Sequence, residues 1–177
     1  MTALQEPGTT ALGQRLRALI LNSKQADQPP QPLAEAFLFG AARAELVTTV
    51  IRPALAKGEI VLCDRYTAST VAYQGAKGAD PLALETLNDV AVQGVRPNLT
   101  VLLDLDPKQG LHRRQAEGTL NAFEEAMANR LDVVRAGYLR LAAQAPHAWL
   151  ILDARQPAED IHRQLYARVA AMLGTGL

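Results

Sequence analysis

Short runs of Val, Ile and Leu alternate along this chain with longer stretches whose apolar residues recur at helical spacing. Three runs read as strands, at residues 59–63, 99–105 and 149–153. None alternates cleanly between apolar and polar, the pattern of parallel strands covered on both faces. Between them the period is that of helices. Thr10 is placed to cap a helix through Ser23, and Leu33, Phe37, Gly40, Ala44, Val47 and Ile51 mark the apolar stripe of the next. Pro81 opens a helix to about Val92 and Pro107 another to about Gln115, a longer pattern runs from Phe123 to Gln144, and a last helix starts near Pro157 with Gly174 past its end. Strands alternating with helices predict an α/β fold, a parallel sheet flanked by helices on both faces.

Length and composition narrow the classes. The 177 residues suit one domain. Eighteen basic and eighteen acidic residues leave no cationic surplus for nucleic acid. No apolar run is long enough to span a bilayer, and the first residues lack the basic and apolar regions of a secretion signal. The lone Cys63 excludes an internal disulfide and sits in an apolar run as a small buried side chain. A cytoplasmic protein is the expectation. His112, His147 and His162 are scattered without metal-ligand spacing, and Trp149 reads as a core anchor.

Three local patterns carry chemistry. Asp64-Arg65-Tyr66 follows the first predicted strand at its carboxyl end, where the ligands of open α/β sheets bind. An Asp there can hold Mg²⁺, directly or through water, and an Arg can clamp a phosphate; alternatively the two cap the next helix or pair with each other. Phe39 and Arg43, four apart, share a helix face beside the apolar stripe. A ring that stacks on a base and a guanidinium that donates to a base carbonyl would form a pyrimidine pocket. The plainer reading is a Phe at the core edge and an Arg in a surface ion pair with Glu35 or Glu45. Glu6-Pro7-Gly8 precedes the first helix, and its Gly permits close approach of backbone to a ligand.

Taken in order, these segments resemble the thymidylate kinase family. Glu6-Pro7-Gly8-Thr9-Thr10 with Leu12-Gly13 and Arg17, then Phe39 and Arg43, Pro53-Ala54-Leu55 with Gly58, Asp64-Arg65-Tyr66 through Tyr73-Gln74-Gly75, and Arg96-Pro97-Asn98-Leu99-Thr100 with Leu102-Leu103-Asp104-Leu105 keep the family's order and spacing over nearly the whole chain. The resemblance implies transfer of the γ-phosphoryl of ATP, with Mg²⁺, to dTMP, giving dTDP, by a single nucleoside monophosphate kinase-like domain over residues 1–177, and a homodimer. It implies that Phe39 stacks on thymine, Arg43 bonds the base carbonyl edge, Thr70 and Gln74 contact the base, and Tyr73 sits against the sugar. Arg65 would hold the 5′-phosphate, Asp64 would serve the metal, and Glu6 and Pro7 would line the same pocket. In a lid at about residues 112–124, Arg113 and Arg114 would reach the donor phosphates or adenine.

The chain also departs from the family pattern. No G-x-x-x-x-G-K-[ST] occurs in it. The resemblance places that P-loop, and the central strand of a sheet ordered 2-3-1-4-5, ahead of Met1. The expected fold is therefore P-loop NTPase-like, lacking its first, central strand and the cradle for ATP phosphates, and the chain by itself is expected to be inactive. The two strands flanking the gap would carry unpaired edges or else pair directly. Gln5 and Thr9 replace an Arg and a Gly of the pattern, Asn121-Ala122 replaces the Asp-Arg that closes the lid, and Val133-Val134-Arg135 stands where relatives show Arg-Val-Arg. A non-catalytic relative that keeps a pyrimidine nucleotide pocket is the alternative expectation.

Overall fold

Backbone pairing turns a four-residue opening segment into a strand. In the computed structural model, which describes residues 1–22, 30–116, 118 and 127–174, β1 (Thr2–Gln5) lies parallel to β2 (Val61–Asp64), with Thr2 opposite Val61 and Gln5 opposite Asp64. Helix α1 (Ala11–Asn22) follows, capped as expected by Thr10, whose Oγ1 accepts from the Gly13 N–H at 2.9 Å. Helix α2 (Pro32–Leu46) starts on Pro32 and continues through a π-helical turn, Val47–Ile51, into α3 (Arg52–Ala56). After β2 come α4 (Thr67–Ala76) and α5 (Pro81–Val92), the latter capped by Asp80, which accepts from the Ala83 N–H at 2.8 Å. Strand β3 (Thr100–Asp104), α6 (Pro107–Ala116), α7 (Leu131–Gln144), β4 (Trp149–Asp153) and α8 (Ala158–Leu173) complete the order, with Gly174 left-handed (φ 67°) just past the last helix.

The sheet is divided. β1 pairs with β2 and β3 pairs in parallel with β4, as two separate two-stranded ladders. β2 and β3 do not pair with each other, so each keeps one edge without a ladder partner among the described residues. The strands are also less covered than their apolar composition predicts. Leu62 is 56% exposed, Leu103 54% and Ile151 48%, so covering on both faces is not what the described residues build. β1 escapes sequence pattern because only Leu4 of its four residues is buried. Its strand character comes from the ladder with β2.

Apolar burial is concentrated where helices meet the first ladder and each other. Leu4, Leu46, Val47 and Ile51 pack with Val61, Cys63 and Tyr66. Ala36, Ala79 and Leu84 join α2 to α5, and Ala72, Met127 and Val134 join α4 to α7. The last seam is tight: a Cβ on Gly137 would lie 3.3 Å from the Ala72 Cα, so glycine allows that approach.

Candidate active site

The helical stripe read from hydropathy is rotated in the structure. Leu33 and Phe37 are exposed, while Glu35, Ala36, Gly40, Ala42 and Arg43 are buried, so Arg43 faces the interior instead of flanking it. Hydropathy misplaces this residue because its charge is satisfied in place. Arg43 Nη2 lies 2.6 Å from Glu6 Oε1 and its Nε donates to Glu6 Oε2 at 3.1 Å, a two-pronged ion pair. Nη2 also donates to Thr70 Oγ1 at 2.9 Å, and Nη1 donates to Asn88 Oδ1. Asn88 Nδ2 in turn donates to the Thr67 carbonyl at 3.3 Å, which orients that amide. One buried guanidinium thus ties the turn after β1, α2, α4 and α5 together. Of its five N–H donors, one on Nη1 keeps no protein partner among the described residues. Glu35 and Glu45, the ion-pair partners suggested by sequence proximity, do not take this role.

Glu6 reaches Arg43 because the strand that precedes it is stitched to β2. Its N–H donates to the Asp64 carbonyl at 3.0 Å, extending the ladder by one step to the point where both chains leave the sheet. Burial raises the Glu6 carboxyl above the ordinary carboxylate value against the pull of Arg43. Pro7, joined to Glu6 by a cis peptide, is buried, and its carbonyl accepts from Arg17 Nη1 at 3.2 Å.

The chain turns sharply after Asp64. Arg65 adopts φ 70°, left-handed and uncommon for a side chain of its size. Such backbone costs of order 1–3 kcal/mol and persists where surrounding structure over-determines it. The turn leaves Arg65 exposed with its guanidinium carbon 5.1 Å above the Tyr73 ring. Tyr73 packs edge-to-face on Tyr138 of α7, with centroids 6.4 Å apart, and Tyr138 shares a 2.7 Å hydrogen bond with Ser69. The Asp64 carboxylate is exposed and has no hydrogen bond or salt bridge among the described residues. No group of three metal-ligating side chains exists among those residues. A single free carboxylate at a strand end nevertheless suits Mg²⁺, which keeps several waters and uses one or two carboxylates with substrate phosphates. Cys63, beneath this turn, is held mainly by burial up to a pKa of about 12, so its thiol is inert, as its apolar setting predicts.

The remaining predicted residues divide. Thr70 and Gln74 are both buried on α4, one turn apart; Gln74 Nε2 donates to Glu35 Oε2 at 2.9 Å. Phe39 is half-buried on α2, between Glu35 and Arg43. Arg113 lies elsewhere, on α6, exposed and donating to the Ala154 carbonyl at 3.4 Å. The Arg114 side chain and lid residues 119–126 lie outside the described residues. Beyond the ends of β3 and β4, Arg135 forks onto Asp104 with both contacts at 2.7 Å, and Arg155 holds Asp153 at 2.7 Å. These arginines hold the Asp104 and Asp153 carboxyls below the ordinary range, Asp153 at about 2.

Two participants went unread in the sequence, Asn88 and the Glu35 contact to Gln74. A signal existed for each. Asn88 interrupts the buried stripe of α5 four residues after Leu84, and Glu35 stands one turn before Phe39 on the same face. A shallow depression of about 550 Å³ on α8, lined by Ala158, Glu159, His162, Arg163 and Tyr166, shares no residue with this region; one helix supplies its whole lining.

Comparison with known proteins points to one family. Residues 1–165 match the family model described as thymidylate kinase. A thymidylate kinase of Solidesulfovibrio magneticus is 46% identical over 177 aligned positions, covering 96% of this chain and 84% of that protein. One from Deinococcus radiodurans is 42% identical, covering 96% of this chain and 82% of its own length. Among solved structures, thymidylate kinase from Ehrlichia chaffeensis superposes with a TM-score of 0.65 at 29% identity, over 85% of this chain and 73% of that one.

Proposed function

Because this chain belongs to the thymidylate kinase family, we propose that its buried Arg43 network and the Asp64-Arg65 turn together form the acceptor site for dTMP. The carrying observation is that Arg43 is almost wholly buried, 1% exposed, yet keeps an uncommitted N–H on the helix face that also bears Phe39. A buried donor without a partner is costly, and a bound base carbonyl would satisfy it. Phe39 stacks on the thymine, and Thr70 and Gln74 bound the base along α4. Tyr73 lies against the sugar and supports Arg65, whose guanidinium holds the 5′-phosphate. Glu6 and Pro7 line the pocket, Glu6 by holding Arg43 in place. Asp64 would hold Mg²⁺ through water, and that ion would neutralise charge on the phosphates. Arg113 and Arg114 of the lid serve the ATP side.

The donor half is a separate matter in this reading. The edges of β2 and β3 that have no ladder partner among the described residues, beside the exposed Leu62 and Leu103, would accept a further strand. No P-loop pattern occurs in the 177 residues to cradle ATP. We therefore expect dTMP binding by this chain without phosphoryl transfer. The protein is cytoplasmic in this reading, and a homodimer forms through α2 and α5, helices that pack together and expose Phe37, Leu82 and Val90.

Calorimetric titration with dTMP and a coupled ADP-release assay test the two halves separately. Micromolar dTMP binding with no ADP formed is the expected result. A chain extended at its amino end by a strand and a G-x-x-x-x-G-K-[ST] loop should then turn over. If it binds dTMP but stays inactive, the replaced lid residues Asn121-Ala122 make the non-catalytic pocket the better reading. Failure to bind dTMP would refute the acceptor site itself.

A further inference from the structure

Gln74 is 1% exposed, its Nε2 donates to Glu35 Oε2, and its Oε1 accepts nothing among the described residues. Lys77 Nζ sits 2.5 Å from the same Glu35 oxygen. A carboxylate paired with an ammonium offers acceptors only, so the amide of Gln74 can face it only with its NH₂. Turning the amide over would set two oxygens against each other. Glu35 thereby fixes which end of Gln74 points away from it, and that end is a carbonyl.

The placement of this carbonyl follows from helix spacing. Glu35, Phe39 and Arg43 stand at successive turns of α2, Thr70 and Gln74 at successive turns of α4, and Lys77 just past its end. The two helices are cross-linked at both ends of this stretch, by Arg43 to Thr70 and by Glu35 to Gln74. Phe39 lies between the links. Flanking the Phe39 position along α2, the protein holds one unspent donor, on Arg43 Nη1, and one unspent acceptor, Gln74 Oε1, among the described residues.

We propose that Glu35 is a positioning residue that sets base specificity, by locking Gln74 so that its carbonyl accepts the ring N–H of the bound pyrimidine. The inference rests on the dTMP reading above. Thymine and uracil carry an N–H next to a carbonyl, matching the acceptor and donor left open. Cytosine presents a bare ring nitrogen next to an amino group, so both contacts would be mismatched. Discrimination is strong where a buried polar group is left unpaired by the wrong ligand.

The test is titration of the intact chain with dTMP and with dCMP, for wild type, Glu35→Gln and Gln74→Leu. Wild type should favour dTMP by at least about 100-fold. In Glu35→Gln the neighbour can donate as well as accept, so Gln74 is free to turn over. The preference should fall by about tenfold or more, through loss of dTMP affinity with dCMP affinity held or gained. Gln74→Leu removes the acceptor while leaving Glu35 and Lys77 in place, and should lower the preference in the same way. A parallel loss of both ligands in the folded variants, or an unchanged preference in Gln74→Leu, would overturn the proposal. Wild type that binds neither nucleotide would instead overturn the acceptor-site reading beneath it.

Discussion

Around Arg43 charge is buried and each polar contact joins two elements, whereas at the ends of β3 and β4 charge lies near the surface. The Arg43 side chain is 1% exposed and its partner Glu6 2%, against 67% for Arg155 and 36% for Asp153. Arg155 reaches back only two residues to its partner, while Arg43 reaches Glu6, Thr70 and Asn88 in three other parts of the chain. The first arrangement is preorganised: its geometry is settled before a ligand arrives, and losing one member strands the others. The second can re-form around water, and its contribution is screened by salt. Arg135 is intermediate, 39% exposed and forked onto Asp104.

That contrast breaks most visibly at Arg43 itself. Arg43→Ala leaves Glu6 buried without its counter-charge and should cost about 3–5 kcal/mol in urea unfolding, together with all measurable dTMP binding. Arg155→Ala, removing an exposed pair, should cost far less. Equal costs for the two would erase the distinction.

Arg65 sharpens it, since the left-handed turn separates stability from binding. Arg65→Gly removes the side chain and accepts φ 70° without strain. The variant should be as stable as wild type or up to about 1 kcal/mol more so. Its dTMP affinity should fall about 10–100-fold, the worth of charge-assisted bonds to a phosphate. A variant that loses stability along with affinity would show that Arg65 is a structural residue.

The smallest effect is a pH dependence at the second region. The Asp153 carboxyl is held by Arg155 at about 2 and the Asp104 carboxyl is held low by Arg135, both below the ordinary 3.8 they regain on unfolding. A lowered carboxyl contributes stability above its unfolded value, and that contribution is lost as pH falls through the folded one. The difference in urea midpoint between wild type and Asp153→Asn should therefore be present at neutral pH and fade towards pH 2. A difference that persists in strong acid would mean that Asp153 acts through packing.

How far these features could be foreseen varies by element. The strands at residues 99–105 and 149–153 were legible because they are short runs rich in Val, Ile and Leu, and they appear as Thr100–Asp104 and Trp149–Asp153. The helices opened by Pro81 and Pro107 were legible because proline fixes the first-turn dihedral and needs no donor there. β1 was not, since Thr2, Ala3, Leu4 and Gln5 have no preference of their own until β2 lies alongside. The family resemblance groups Glu6, Arg43 and Thr70, and in the structure Arg43 bonds to each of the other two. It did not place Asn88, because the break in the buried stripe of α5 marks the residue but not its partner 45 residues away.

The residue types alone settled the alternation of strand and helix and the family, because local propensity and motif order survive without coordinates. Only the folded chain decided that Arg43 faces inward and that the described strands form two ladders instead of one sheet. The physical reason is the same for both. A buried charge is tolerated, and a strand edge is closed, only by partners brought from distant parts of the chain, and no local window of sequence contains them.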